Sequence, residues 1–314
     1  MRLDRRDFLK VSAAATASLS IAAGETLVEH NGIPCRPLGK TGERVTLLTL
    51  GGYQIGQPEV TEQEAIRIMR SAIDEGINSF DNAWGYHEGR SEILMGKALK
   101  DGYREKVFLM TKHVGRDAKT AEAQLEESLE RLQVDVIDLW QFHEVAQADD
   151  PHRIYSEGAL EVALKAKQQG KIRYIGFTGH RFPDLHVEMI DRGFDWDTVE
   201  MPLNVLDHHF RSFEKETLPK AVEKNLGIIA IKTLGGPPGR IPKESGAATV
   251  SECLRFALSL PISTVASGID SMEILKENVT IARNFKPFEE EELSALLKRT
   301  RQAASKGDFE PYKR

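Results

Sequence analysis

"KVFLMTKHVGRDAKTAEAQLEESLERLQVDVIDLWQF", residues 106–142, is the stretch that decides the fold. It opens on a β-rich run, continues with Ala121, Leu125, Leu129 and Leu132 at helical spacing, and returns to strand-like composition in "VIDLWQF" (136–142). That is one strand, helix, strand unit. Outward from it the same alternation continues. Strand candidates "VTLLTL" (45–50) and "INSF" (77–80) lie upstream, and "IRYIGFT" (172–178), "TVEMPL" (198–203), "GIIAIKT" (227–233) and "STVAS" (263–267) lie downstream. Ile66, Met69 and Ile73 mark the first helix, and Thr61 with Glu64 reads as a capping box at its start.

Eight such units predict an α/β protein, a (β/α)8 TIM barrel. An open doubly wound sheet would place a glycine-rich dinucleotide loop after its first strand, and "GGYQIG" (51–56) lacks that spacing. Ahead of the barrel, "CRPLGKTGERV" (35–45) predicts a β-hairpin turning at Gly39 to Gly42 and plugging the barrel floor. No low-complexity segment interrupts residues 33–300, so one barrel domain is expected. The polar tail 301–314, ending in "KGDFEPYKR", is expected to lie over the surface.

The 314 residues carry a net charge of -6, which offers no basic field for nucleic acid and points to a small-molecule partner. Cys35 and Cys253 have no metal-ligand spacing; Cys253 falls on the apolar helix face Val250, Leu254, Ala257 and reads as core, while Cys35 has no assigned role. His208 and His209 read as a solvated loop. The first residues, "MRLDRRDFLKVSAAATASLSIAAGE", pair Arg5 and Arg6 ahead of an Ala/Ser-rich run too short to span a bilayer. This resembles a bacterial twin-arginine export signal over residues 1–22 and implies a periplasmic protein without membrane insertion of the mature chain, or a cytoplasmic one if the signal is inefficient.

A barrel places its chemistry at the C-terminal ends of its strands. Those ends carry Asp81, Lys112, His143, and Thr178 with Gly179 and His180, and Tyr86 stands just beyond Asp81 in "FDNAWGYHEGRSE" (80–92). A phenol near an ammonium loses its proton more readily, so Lys112 is expected to lower the pKa of Tyr86, with Asp81 orienting the lysine. His143 can donate to a substrate carbonyl. The set polarises a carbonyl and protonates the alkoxide formed by hydride arrival; the hydride itself requires a nicotinamide cofactor. A competing arrangement takes Asp81, His113, His143 and His180 as ligands of a metal-dependent hydrolase or isomerase, but it leaves Tyr86 and Lys112 idle and lacks paired-histidine spacing, so no metal is expected. A sensor subunit with little turnover is a third possibility.

With these residues in view, the chain resembles the aldo-keto reductase superfamily over almost all of its mature length. The matching stretches are "RPLGKTGERVTLLTLGG", "AIDEGINSFDNAWGYHEGRSEILMGKAL", "VFLMTK", "DVIDLWQFH", "GKIRYIGFTGH", "IIAIKTLGG" and "ILKENV". The resemblance implies that Asp81, Tyr86, Lys112 and His143 form the family's tetrad, with Tyr86 as proton donor or acceptor between NADP or NAD and a carbonyl or alcohol substrate. It also implies cofactor contacts from Gly52, Tyr53, Thr178, Gly179, Glu200, Ile231, Lys232, Leu234, Gly235, Gly268, Asp270, Glu277 and Asn278. Glu200 stands where many members have Gln, and Ile231 where many have an aromatic residue or Met. Asp270 falls where members preferring NADP offer Arg or Lys, which weakens an NADP preference, although Lys276 or Arg283 could reach a phosphate. Tyr53, Trp84, His113 and His180 are the expected substrate walls, suited to a sugar or other polar carbonyl compound. Export would favour a tightly held cofactor, used for redox isomerisation or internal regeneration.

Overall fold

The computed structural model describes residues 28–314; the expected export signal, residues 1–22, lies outside the described residues. Eight parallel strands close into a barrel: β4 (Leu48–Gly51), β5 (Ser79–Asp81), β6 (Phe108–His113), β7 (Ile137–Phe142), β8 (Ile172–Thr178), β9 (Thr198–Pro202), β10 (Gly227–Ile231) and β11 (Thr264–Gly268), with β11 pairing back onto β4. Their helices are α1 (Glu62–Asp74), α2 (Arg90–Ala98), α3 (Ala118–Leu132), α4 (Ala159–Gln168), α5 (Pro183–Asp191), α6 (Leu218–Glu223), α7 (Val250–Ser259) and α8 (Met272–Arg283). The predicted (β/α)8 TIM barrel is therefore the fold, with an additional helix α9 (Glu290–Ala304) at the end.

Two local expectations change. The run 45–50 divides at Leu47: Val45 belongs to β3 (Arg44–Thr46), which pairs antiparallel with β2 (Ile33–Pro37), and only Leu48 onward enters the barrel. A further short strand, β1 (Glu29–His30), extends the hairpin to three strands. At the start of α1, the Thr61 hydroxyl accepts the Glu64 N–H at 3.2 Å, but the Glu64 carboxylate is taken by Arg67, so the capping box is half formed. Complete boxes stand at the starts of α7, between Thr249 and Glu252, and of α9, between Glu289 and Glu292.

Side chains alternate along each strand, so one set fills the barrel and the other packs under the helices. The interior is layered from floor to mouth. Leu38 and Val45 of the hairpin pack with Phe108, Met110, Leu139 and Ile229, closing the floor as expected. Above them Thr49 joins Ser79 at 2.5 Å and Thr264 at 2.9 Å through hydroxyl hydrogen bonds. The next level is charged and is formed by Asp81, Lys112 and Glu200, all buried. Cys253 lies in the layer outside the sheet, fully buried as expected, and burial pushes its thiol up to about 12.

The tail departs most from expectation. α9 runs on to Ala304, and residues 305–314 then fold onto the barrel mouth instead of lying over the surface. Glu310 and Lys313 are fully buried. The Lys313 ammonium donates to Asp207 Oδ1 at 2.5 Å and the Phe210 carbonyl at 2.9 Å, and pairs with Glu310 Oε1 at 2.9 Å. His208 is likewise held, through Nδ1 against Glu214 at 2.9 Å, rather than loosely solvated.

Candidate active site

β5 ends on Asp81 and β6 carries Lys112 inward, so neighbouring strands bring an acid and an ammonium together at the mouth. Lys112 Nζ donates to Asp81 Oδ2 at 2.5 Å and to the Asn82 carbonyl at 2.8 Å. It also stands 3.4 Å from Glu200 Oε1, whose other oxygen accepts Gln141 Nε2 at 3.1 Å. Tyr86 rises over this group, with the ammonium 5.3 Å from its ring centroid and the His143 ring 5.7 Å away in edge geometry. The tetrad predicted from sequence is therefore assembled in one place.

The loop that presents Tyr86 is held from beneath. Arg131 of α3 donates to the Trp84 carbonyl at 3.1 Å and to Glu127 at 3.0 Å, and Glu127 also accepts the Trp84 indole N–H at 2.7 Å. Gly89 adopts φ +86°, and a Cβ there would meet the Arg131 guanidinium at 2.6 Å, so only glycine lets the chain cross the arginine. Sequence reading passed over Arg131 and Glu127, although their i, i+4 spacing on one helix was visible.

Electrostatics follow from burial. Desolvation raises the Tyr86 phenol well above its ordinary value, and Asp81 and Glu200 add to this against the pull of Lys112. The expected lowering is thus reversed: the phenol keeps its proton and is poised as a donor. Burial works against the Lys112 charge, but Asp81, Glu200 and Tyr86 overcome it and hold the ammonium protonated. Burial, reinforced by Asp81, raises Glu200 to about 7. Desolvation, then Lys112, pushes His143 well below the usual histidine value, leaving a neutral imidazole.

A cleft of about 300 Å³ runs from this group across the mouth. Of the residues expected to hold cofactor, Gly52, Tyr53, Glu200, Ile231, Lys232, Leu234, Gly268, Asp270, Glu277 and Asn278 line it. Thr178 does not; its hydroxyl accepts the Glu144 N–H at 3.3 Å. Gly179 packs against Val145 and His186, and Gly235 lies beneath Ile241 and the Phe309 carbonyl. Arg283 is spent on the Asn31 and Glu75 carbonyls and the Glu75 carboxylate, whereas Lys243, which sequence reading missed, lines the cleft.

The expected substrate walls separate. Tyr53 remains at the cleft, 5.2 Å from the Tyr86 ring. Trp84 is turned to Glu127, and His113 is buried, stacked on Trp140 at 3.7 Å. Alternation explains the latter: with Lys112 pointing inward, His113 must point out into the helix layer. His180 reaches the rim, where Nε2 meets Glu144 at 3.2 Å and Nδ1 lies 3.4 Å from the Tyr312 carbonyl. Among the described residues no cluster of three or more His, Cys, Asp or Glu could hold a metal ion, and His113 stands apart from Asp81, His143 and His180.

Barrel, tetrad and cleft define a (β/α)8 protein with Tyr86 and Asp81 lining one ligand-sized cleft at its mouth. Residues 47–245 match the Aldo/keto reductase family, and the chain belongs to it. It is 30% identical over 283 residues to L-galactose dehydrogenase of Arabidopsis thaliana, covering 79% of this chain and 87% of that protein. It is 34% identical to the oxidoreductase YrpG of Bacillus subtilis, covering 63% of this chain and 66% of the relative. The holo form of the aldo-keto reductase AKR11C1 from Bacillus halodurans superposes with a TM-score of 0.73 at 26% identity, over 90% of this chain and all, 100%, of that one. Membership makes the protein an oxidoreductase whose general chemistry is nicotinamide-dependent carbonyl reduction.

The cleft fits such a cofactor. Lys232 and Lys243 would supply cations for a pyrophosphate, and Gly236 and Gly239 hold φ of +79° and +96° on the same loop. Ile231, Ala266 and Ile274 would give apolar surface for rings, and Asn278 is fixed by its bond to Ser267 at 3.0 Å. Near the tetrad, buried Asp81 Oδ1 has no hydrogen-bond partner among the described residues.

Proposed function

We propose that this protein reduces the carbonyl of a small hydroxylated compound of the sugar class, with Tyr86 giving its proton to the substrate oxygen. The observation that carries the reading is the meeting of Asp81, Lys112, His143 and Tyr86 at one end of the cleft. A nicotinamide held in the cleft would supply the hydride for reduction, or accept it in reverse. Neutral His143 donates a hydrogen bond to the carbonyl, and Tyr86 releases its proton as negative charge develops on that oxygen. Lys112 stabilises the phenolate left behind, and Asp81 keeps the ammonium oriented. The polar rim of Glu144, His180 and Lys232 suits a hydroxylated substrate, and the likeness to L-galactose dehydrogenase supports that class. Asp270 and Glu277 at the far end of the cleft favour a free ribose hydroxyl over a phosphate, so the reading includes use of NAD.

The test is Tyr86→Phe, assayed with NADH and NADPH against a panel of aldoses and simple aldehydes. Turnover is expected to fall at least about 10²-fold while the nucleotide Kd changes less than about threefold. Turnover within about tenfold of the parent would show that the proton moves elsewhere.

A further inference from the structure

Lys112 is flanked by two carboxylates, Asp81 at 2.5 Å and Glu200 at 3.4 Å, with all three side chains buried. With both acids ionised and Tyr86 neutral, this group carries one net negative charge. Glu200 supplies the excess and borders the cleft, so that charge faces whatever occupies the space beside Tyr86. Glutamine at the same place would leave the group neutral. An amide would also complete the hydrogen bond to Gln141, so that contact does not require an acid.

The reaction in the proposed function creates a positive charge in that space. In carbonyl reduction the substrate carbon gains a hydrogen with its bonding electron pair from the nicotinamide, the substrate oxygen gains the Tyr86 proton, and one positive charge is left on the ring. We propose that Glu200 sets the redox balance of the site, its carboxylate holding the oxidised, cationic ring more tightly than the neutral reduced ring and so making the bound couple a stronger hydride donor. This rests on the reading that nicotinamide lies beside Tyr86. A charge on the product side of hydride transfer lowers the barrier to it, because the transition state already carries part of the ring's positive charge.

The groups facing the Glu200 carboxyl are Asp81 from β5, Lys112 from β6, Gln141 from β7, Tyr86 from its loop and Lys232 beyond β10. His186 touches only the Glu200 backbone carbonyl, at 3.4 Å. Of the two cations, Lys112 is already shared with Asp81, and the proposed partner of Lys232 is the pyrophosphate. Because burial holds Glu200 near about 7, its charge develops across neutral pH, and affinity for the oxidised form rises as pH climbs through that value.

The experiment measures the Kd of NAD+, NADH, NADP+ and NADPH on the full chain by fluorescence titration, for the parent and for Glu200→Gln, at about pH 6 and about pH 8. At the higher pH the variant is expected to lose roughly tenfold or more in preference for the oxidised member of each bound pair. In the parent, affinity for the oxidised form should increase between the two pH values, and in the variant it should stay flat. If the variant does not fold, the parent's pH series alone decides. A ratio unchanged within about threefold, or a flat parent series, overturns the role of Glu200 and leaves the Tyr86 reading standing. Absence of binding by any of the four nucleotides overturns both.

Discussion

Lys313→Met removes one ammonium from the tail while keeping an apolar stem of similar length. The parent lysine is fully buried and held by Asp207, Glu310 and the Phe210 carbonyl. Without it, two buried carboxylates face each other with no cation, and breaking a buried pair in this way costs about 3–5 kcal/mol. At about 2 °C per kcal/mol for a chain of this size, the thermal midpoint should fall by about 6–10 °C. The sign of the pH dependence follows from Asp207, which burial raises to about 7 against the pull of Lys313. A carboxyl raised in the folded state keeps a proton that the unfolded chain releases, so its contribution is present below the ordinary carboxylate range and is lost as pH rises towards 7. Removing the ammonium deepens that loss, so the deficit should be larger at about pH 8 than at about pH 5. Equilibrium urea unfolding of both proteins at the two pH values measures it. A loss below about 1 kcal/mol at the higher pH, or a larger loss at the lower, would refute the account of the tail as a buried ionic clasp.

Two further outcomes are expected. Gly39→Ala should destabilise by at least about 2 kcal/mol in urea, because φ is +55° and the new Cβ would meet the Gly227 nitrogen at 2.2 Å; Gly42→Ala, with no atom within 4 Å, should lose only the cost of its positive φ. Asp270→Ser should improve the Kd of NADPH relative to NADH by several-fold, and NADPH binding at least tenfold tighter than NADH in the parent would sink the account of Asp270.

The barrel was legible because the strands are buried on both faces along most of their length and read as short apolar runs separated by amphipathic helices. The tetrad was legible because its four residues lie at strand ends or one short loop away. What failed was direction. Assigning His113 to the pocket ignored that adjacent residues on a strand point to opposite sides, and Lys112 had already claimed the inside. Thr178 was placed correctly at its strand end but is committed to the Glu144 N–H. The sign for Tyr86 failed because a sequence shows the neighbouring ammonium but neither the depth of burial nor the second acid, Glu200, across the barrel.

The tail failed for a related reason, and it shows what separates structure from chemistry here. The mouth holds two groups of the same composition, one lysine between two carboxylates: Lys112 with Asp81 and Glu200, and Lys313 with Asp207 and Glu310. Composition cannot distinguish them, and in sequence Lys313 lies among residues that resemble a solvated end. Asp207 is tied down by the N–H groups of Phe213 and Glu214, so the second group closes on the polypeptide itself. Asp81 and Glu200 instead border a cleft, where their charge acts on whatever enters. The same ionic arrangement fastens the chain at one place and faces an open cleft at the other, and the space beside it makes the difference.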